Sequence, residues 1–344
     1  MSRFQVLPDP PLNLLLDCYD QHPDAYLHQW PLLPADSARR AYAFLDTDNQ
    51  LMGYVLADAK PLRALHVAFG PVGIPPNQYE EFFHAWLPVL QRQRWWRLSV
   101  QLPLVLEGAG LPQPTFCFSG VPCRTSDRVL NWATWVVSLH NDENRMLHAY
   151  SAHHRRNIRK AWQLGLYTQT LTNQQQILQL VKLYKKLYKW RRLQTKEQLV
   201  CRQLLAIHDY FFATAKGFIL GIFHQEQLLG GVVVALRAQS AFYHFGVTDP
   251  EMRPWPLAHL LFHHAFLKAA SMGLQTFDFG GYDQQARPGS QTFAINRFKE
   301  GFGGSLVTYV PQLIFDLSHF GSYLTDAALL LRHWLRQAIA VPSF

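Results

Sequence analysis

Lys299 lies in Arg297-Phe-Lys-Glu-Gly-Phe-Gly-Gly304, where a cation beside a glycine turn can meet the negative charge that develops on a carbonyl oxygen under attack. One such donor is typically worth about 10² to 10³ in rate. Asp278 and Asp283 flank Gly280-Gly281-Tyr282, and a carboxylate there can accept the proton of an attacking amine. No Ser/His/Asp series and no G-x-S-x-G elbow accompanies them, so the residues point to direct transfer rather than a covalent enzyme intermediate. Each also has a plainer use: Lys299 as a cation at a helix C-terminus, the aspartates as turn formers.

Upstream, Ser151-Ala-His-His-Arg-Arg-Asn-Ile-Arg-Lys-Ala-Trp-Gln-Leu-Gly165 gathers Arg155, Arg156, Arg159 and Lys160 on one predicted helix. They form two i,i+4 rows beside an apolar stripe of Leu147, Tyr150, His154, Ile158, Ala161 and Trp162, and Gly165 is placed to close the helix. Like charges at that spacing repel, so the rows need solvent, acidic neighbours or an anionic ligand. A second run, Lys182, Lys185, Lys186, Lys189, Arg191 and Arg192, shares its helix with Ile177, Leu180, Val181, Tyr184 and Leu187, and can track an RNA backbone or face water. Arg253 precedes a helix start where free N–H groups can hold a phosphate. Pro254 and Pro256 remove two donors from that turn, and it lacks the glycines of a pyrophosphate loop. Tyr243, alternating with Phe245 before Gly246, either presents its hydroxyl to a cleft or packs within a strand. His153-His154 and His263-His264 point apart on their helices, and no metal site is expected.

These residues need a scaffold of ordinary size. The chain has 344 residues, 49% of them hydrophobic, which suffices for two buried cores. A net charge of +8 favours an anionic partner such as RNA, nucleotide phosphate or anionic lipid. Cys18, Cys117, Cys123 and Cys201 form no CxxC pair and no zinc-finger spacing, so free thiols in a reducing, cytoplasmic setting are expected. Neither a signal peptide nor a membrane span is expected. Near the carboxyl end Leu329, Leu330, Trp334, Leu335 and Ile339 form an apolar face broken by Arg332, His333 and Arg336, which packs on the body of the protein or makes a peripheral membrane contact.

One pattern occurs twice. Strands over 41–45, 52–57 and 64–69 precede a helix over 78–91 and a strand over 96–102; strands over 218–223, 231–236 and 241–247 precede a helix over 255–271 and a strand over 276–279. Two helices, 143–164 and 174–191, open the second module. The fold class is therefore α/β (α+β): two tandem units of the GNAT-type acyltransferase design, each a mixed, mostly antiparallel sheet flanked by helices. The expected division is 1–141, 142–311 and a C-terminal segment, 312–344, returning to the first domain.

The segments SAHHRRNIRKAWQLGL, FYHFGVTDPEMR, FDFGGYD and RFKEGFGG resemble, in this order and spacing, the Fem family (FemABX) of peptidoglycan aminoacyltransferases, with FGPVG and WRLSVQLP fitting the family's first module more loosely. The resemblance implies transfer of an amino acid from aminoacyl-tRNA to the amine of a nucleotide-linked or lipid-linked muropeptide, with no cofactor and no DNA partner. It places Lys299 at the family's lysine and an aromatic substrate contact near Tyr243; Tyr282 is a further candidate for substrate binding. Arg155, Arg156, Arg159, Lys160 and Arg253 become candidates for the diphosphate or the tRNA acceptor end. The long helical hairpin that many tRNA-using members insert has no counterpart here. Two other readings fit the same residues: an N-acyltransferase using acyl-CoA or another thioester, and a non-catalytic RNA-binding or scaffold protein.

Overall fold

The computed structural model describes residues 4–22, 39–105, 121–125, 133–193, 197–318, 320–321 and 323–327. The chain forms two compact units, one made of Met1–Asn131 with Tyr309–Phe344, the other of Trp132–Thr308.

In the first unit, β1 (Gln5–Pro8), α1 (Leu12–Gln21), β2 (Arg39–Leu45), β3 (Leu51–Lys60), β4 (Ala64–Val67), α2 (Tyr79–Arg92), β5 (Arg97–Val100) and β6 (Cys123–Thr125) follow in sequence. The second unit supplies β7 (Ala133–Ser138), α3 (Glu143–Ala149), α4 (Ala152–Gln163), β8 (Tyr167–Thr170), α5 (Gln174–Trp190), α6 (Glu197–Thr214), β9 (Gly217–His224), β10 (Gln227–Arg237), β11 (Ser240–Thr248), α7 (Leu257–Ser271), β12 (Thr276–Gly281), α8 (Gln291–Glu300) and β13 (Ser305–Thr308). The chain then returns to the first unit as β14 (Leu313–Asp316).

Among the described residues each sheet has seven strands, ordered β1-β2-β3-β4-β5-β14-β6 and β13-β7-β12-β11-β10-β9-β8. Counted from β1 and from β8, the strand directions agree: three antiparallel pairings, one parallel pairing (β4 with β5, β11 with β12), then two antiparallel pairings. A helix covers each parallel crossover and supplies the core. In α2 these side chains are Phe82, Phe83, Trp86 and Leu90; in α7 they are Leu260, Leu261, Ala265, Phe266 and Ala269. Full burial of each large apolar side chain is worth about 1.5–3 kcal/mol.

Three expectations need correction. The boundary precedes β7, because β7 hydrogen-bonds to β12 and β13 of the second sheet, while Tyr309 already belongs to the first unit. The helix expected over 143–164 is two helices, since Tyr150 turns extended (ψ 153°) and Ser151 caps α4 by accepting the His154 N–H. The strand β8 and the helix α6, packed on α5, were not anticipated. Gly165 closes α4 as expected: at φ +71° it donates to Trp162 O (2.9 Å), and Leu166 donates to Ala161 O (3.2 Å). The carboxyl-terminal face from Leu329 to Ile339 and Cys117 lie outside the described residues. Among the described residues no helix is long and apolar enough to cross a membrane.

Candidate active site

Strands β11 and β12 pair in parallel at Ser240–Thr276, Ala241–Phe277 and Phe242–Asp278 and at no later residue, although β11 continues to Thr248 and β12 to Gly281. The two strands therefore part toward their carboxyl ends, the side of an α/β sheet where ligands enter. Facing β10, β11 carries a bulge at His244, where the register shifts at Val233/Val234, and β12 bulges against β7 between Asp278 and Gly281, with Gly280 at φ +67°. Only glycine adopts that conformation freely.

Lys299, in the last turn of α8, is buried at 8% exposure. Its Nζ donates to Gly280 O (3.0 Å) and Gly281 O (2.5 Å), so the lysine and the glycine pair, far apart in sequence, form one site at the end of β12. Burial pushes its ammonium down to about 8, against the pull of Asp278. No carboxylate among the described residues lies within ion-pair distance of it.

The last turn of α8 and the turn after it are held by three donors from elsewhere in the unit: His154 Nε2 to Phe298 O (2.9 Å), Ser151 N to Gly301 O (2.8 Å) and Trp135 Nε1 to Gly303 O (2.7 Å). His154 is buried and packs on Gly301, where a Cβ would meet its ring at 2.1 Å. Desolvation holds the His154 imidazolium down to about 4, so the neutral ring donates through Nε2. The stretch from Ser151 thus has two faces. One clamps the lysine turn; the other exposes Arg156, Arg159 and Lys160, with no acidic partner among the described residues. Arg155 turns back to cap Tyr150 O.

Asp278 is buried, and its carboxylate accepts from Thr134 Oγ1 and from Gly280 N (2.7 Å). It supports the bulge from beneath, a different place from the proton acceptor that its sequence position suggested. Asp283 receives the Gln285 N–H (2.9 Å) in a turn, and Asn296 Nδ2 donates to its backbone carbonyl (2.7 Å). Tyr282 stacks on Trp135 at 5.3 Å and donates to Glu300 (2.5 Å), which holds its hydroxyl proton on, at about 12. Tyr243 packs against Phe262 at 5.3 Å beside the opening, its hydroxyl pushed up to about 12 by burial.

Arg253 is exposed and lies over the Trp190 ring at 4.1 Å. The turn around it has few amides to offer. Glu251, Met252, Trp255 and Leu257 donate to Asp249 Oδ1, Asp249 O, Met252 O and Trp255 O, and residues 250, 254 and 256 are prolines. Lys186 fixes the same turn through Asp249 (2.8 Å) and Glu251 (2.7 Å), and Lys185 pairs with Glu197 (2.8 Å), so the second basic run is in part structural.

Sequence reasoning did not assign Thr134, Trp135, Ser151 or His154 to the site. Ser151 and His154 stood inside a quoted segment and Thr134 and Trp135 outside them all; the role of each was hidden because it acts through a carbonyl or carboxylate far along the chain. Among the described residues no group of three His, Cys, Asp or Glu side chains is arranged to hold a metal ion.

Residues 149–299 match the acetyltransferase (GNAT) domain family. No curated protein matches the chain in sequence. Among solved structures it is similar to FemX at 12% identity and a TM-score of 0.67, covering 90% of this chain and 96% of that one. The L-PGS of Bacillus licheniformis matches at 11% identity and a TM-score of 0.61, covering 93% and 96%. The C-terminal domain of a putative lysylphosphatidylglycerol synthetase from Agrobacterium fabrum matches at 12% and 0.59, again covering 93% and 96%. Such identities establish fold alone: the chain has a tandem GNAT-like fold, and the segment that matches the acetyltransferase (GNAT) domain family lies in its second unit.

Proposed function

We propose that the protein transfers an aminoacyl group from aminoacyl-tRNA to the amine of a peptidoglycan precursor, by direct attack at the opening between β11 and β12. The observation that carries this reading is the pairing of that opening with a lysine held at its floor: Lys299 is buried on the Gly280 and Gly281 carbonyls, where its charge can meet the oxyanion. Alignment of the amine and carbonyl supplies the larger share of the acceleration, about 7–11 kcal/mol when complete.

The choice of donor is supported by the turn before α7. An acyl-CoA pyrophosphate would need free backbone amides there, and the four engaged donors and three prolines leave a poor cradle. Arg156, Arg159 and Lys160, exposed and without an acidic partner among the described residues, suit a polyanionic donor or a diphosphate-bearing acceptor. The structures of FemX and of the L-PGS enzymes, whose fold this chain shares, agree with this class of chemistry.

The test is donor transfer. Purified protein is incubated with radiolabelled aminoacyl-tRNAs and, separately, with labelled acetyl-CoA, each against muropeptide precursors and simple amines. Label passing from tRNA to a muropeptide is the expected result. Transfer from the thioester alone would replace this reading by the acyl-CoA one.

A further inference from the structure

We propose that Lys299 carries the proton of the transfer: its neutral amine takes a proton from the attacking amine, and the ammonium so formed faces the oxyanion and then protonates the leaving group. The inference rests on the acyl-transfer reading above and concerns the proton, whichever donor is used.

The donor count supports it. A neutral amine has two N–H bonds and one lone pair; Lys299 has two acceptors, Gly280 O at 3.0 Å and Gly281 O at 2.5 Å. Both N–H bonds are used and the lone pair remains for a proton. An ammonium in the same place would keep its third N–H and its full charge inside the protein with no carboxylate at ion-pair distance among the described residues, which is costly.

The charged groups around Lys299 leave that balance in place. Asp278, on β12, attracts the ammonium but is occupied by Thr134 and Gly280 N. Arg297 and Glu300, on its own helix, pair with each other at 2.6 Å. His154, facing the turn from α4, is neutral.

Other groups at the site are less able to accept the proton. Tyr243 and Tyr282 hold theirs up to about 12. Asp283 is engaged in its turn with Gln285 N.

The step balances without a further reactant. The amine nitrogen bonds to the carbonyl carbon and gives a proton to Lys299 Nζ. The bond from that carbon to the leaving oxygen or sulfur then breaks, and the leaving atom takes the proton back. An amide and a hydroxyl or thiol depart, and the lysine is neutral again.

The experiment has two arms. In protein carrying ¹⁵N-lysine, the Lys299 amine, assigned by its absence in Lys299→Arg, should titrate at about 8 where an ordinary lysine titrates at 10.5. A midpoint at the ordinary value overturns the proposal, with or without observed turnover. With a donor that supports transfer, kcat/KM should fall on the acid side with the same midpoint. Lys299→Arg keeps a charge and cannot release it, so it should lose as much as Lys299→Met, about 10² to 10⁴-fold. An arginine variant far more active than the methionine one would show that charge alone suffices and sink the proton role while leaving the acyl-transfer reading intact. Silence from every donor removes that reading, and the proton role with it.

Discussion

The two units carry the same strand directions and differ where the parallel strands end. In the first, all four residues of β4 pair with β5, and Gln101 N to Val67 O and Gly70 N to Gln101 O continue the bonding beyond the strands. In the second, pairing stops after three residues and the longer strands part. Both places have a buried side chain donating to two carbonyls. In the first it is Gln101, to Leu102 O (3.2 Å) and Val310 O (2.7 Å); in the second it is Lys299. An amide and an amine perform the same structural task, but only the amine can exchange a proton near neutral pH. Duplicating a scaffold thus does not duplicate a site. On the proposed mechanism, chemistry needs both the opening and a titratable donor beside it.

The sharpest test of that contrast exchanges function for stability. Lys299→Met should lower transfer by about 10² to 10⁴ while far-ultraviolet dichroism stays unchanged. Gln101→Met should leave the chemistry intact and lower the stability of the first unit. If both variants behave alike, the contrast between amide and amine fails.

Next in size is Arg97→Met, confined to the first unit. Arg97 is buried and pairs with Asp316 (2.9 Å) and bidentately with Asp326 (2.9 and 3.0 Å), which Arg124 also contacts. Because Asp326 is half exposed, the expected loss is about 2–3 kcal/mol, below that of a fully buried pair. Denaturant unfolding measures it, and an unchanged midpoint would show that the network contributes little.

Thr134→Val should cost about 1–3 kcal/mol by removing a buried donor to Asp278. It should also lower kcat with little change in KM, because the Gly280 bulge that holds Lys299 loosens.

Acid distinguishes the units by the pH at which each loses stability. Desolvation lowers His154 and His264 to about 4 and His259 to about 3, all in the second unit. Their folded-state values lie below the unfolded 6.5, so the stability they allow is complete above pH 6.5 and is lost as pH falls toward 4 and 3. In the first unit Asp326 is lowered from 3.8, chiefly by Arg97, so its contribution disappears only below that value. His66 there is also lowered by burial, which narrows the gap. Native-state hydrogen exchange at pH 5 should find the second unit opening first; the reverse order would contradict this account.

Much of the scaffold was legible because it rests on local rules. Alternation marked the central strands, helical period marked α2, α5 and α7, and Gly165 marked the end of α4. The helix α6 has Leu204, Ile207, His208 and Phe211 buried at helical spacing, a signal that was present and went unread beside the basic run. The break at Ser151 was harder to see, since periodicity continues through it while the Ser151 N–H serves Gly301 O instead of a helix.

Residue type and spacing determined by themselves that Lys299 stands beside a glycine turn, that Asp278 lies near the end of a strand, and that Arg156, Arg159 and Lys160 lie close together on one helix. Tertiary structure alone decided that Lys299 is dry, that its partners are the carbonyls of Gly280 and Gly281, and that Asp278 and His154 hold the floor in place. The physical reason is that periodicity reports which face a side chain takes, whereas desolvation and hydrogen-bond partners depend on groups brought together from distant parts of the chain.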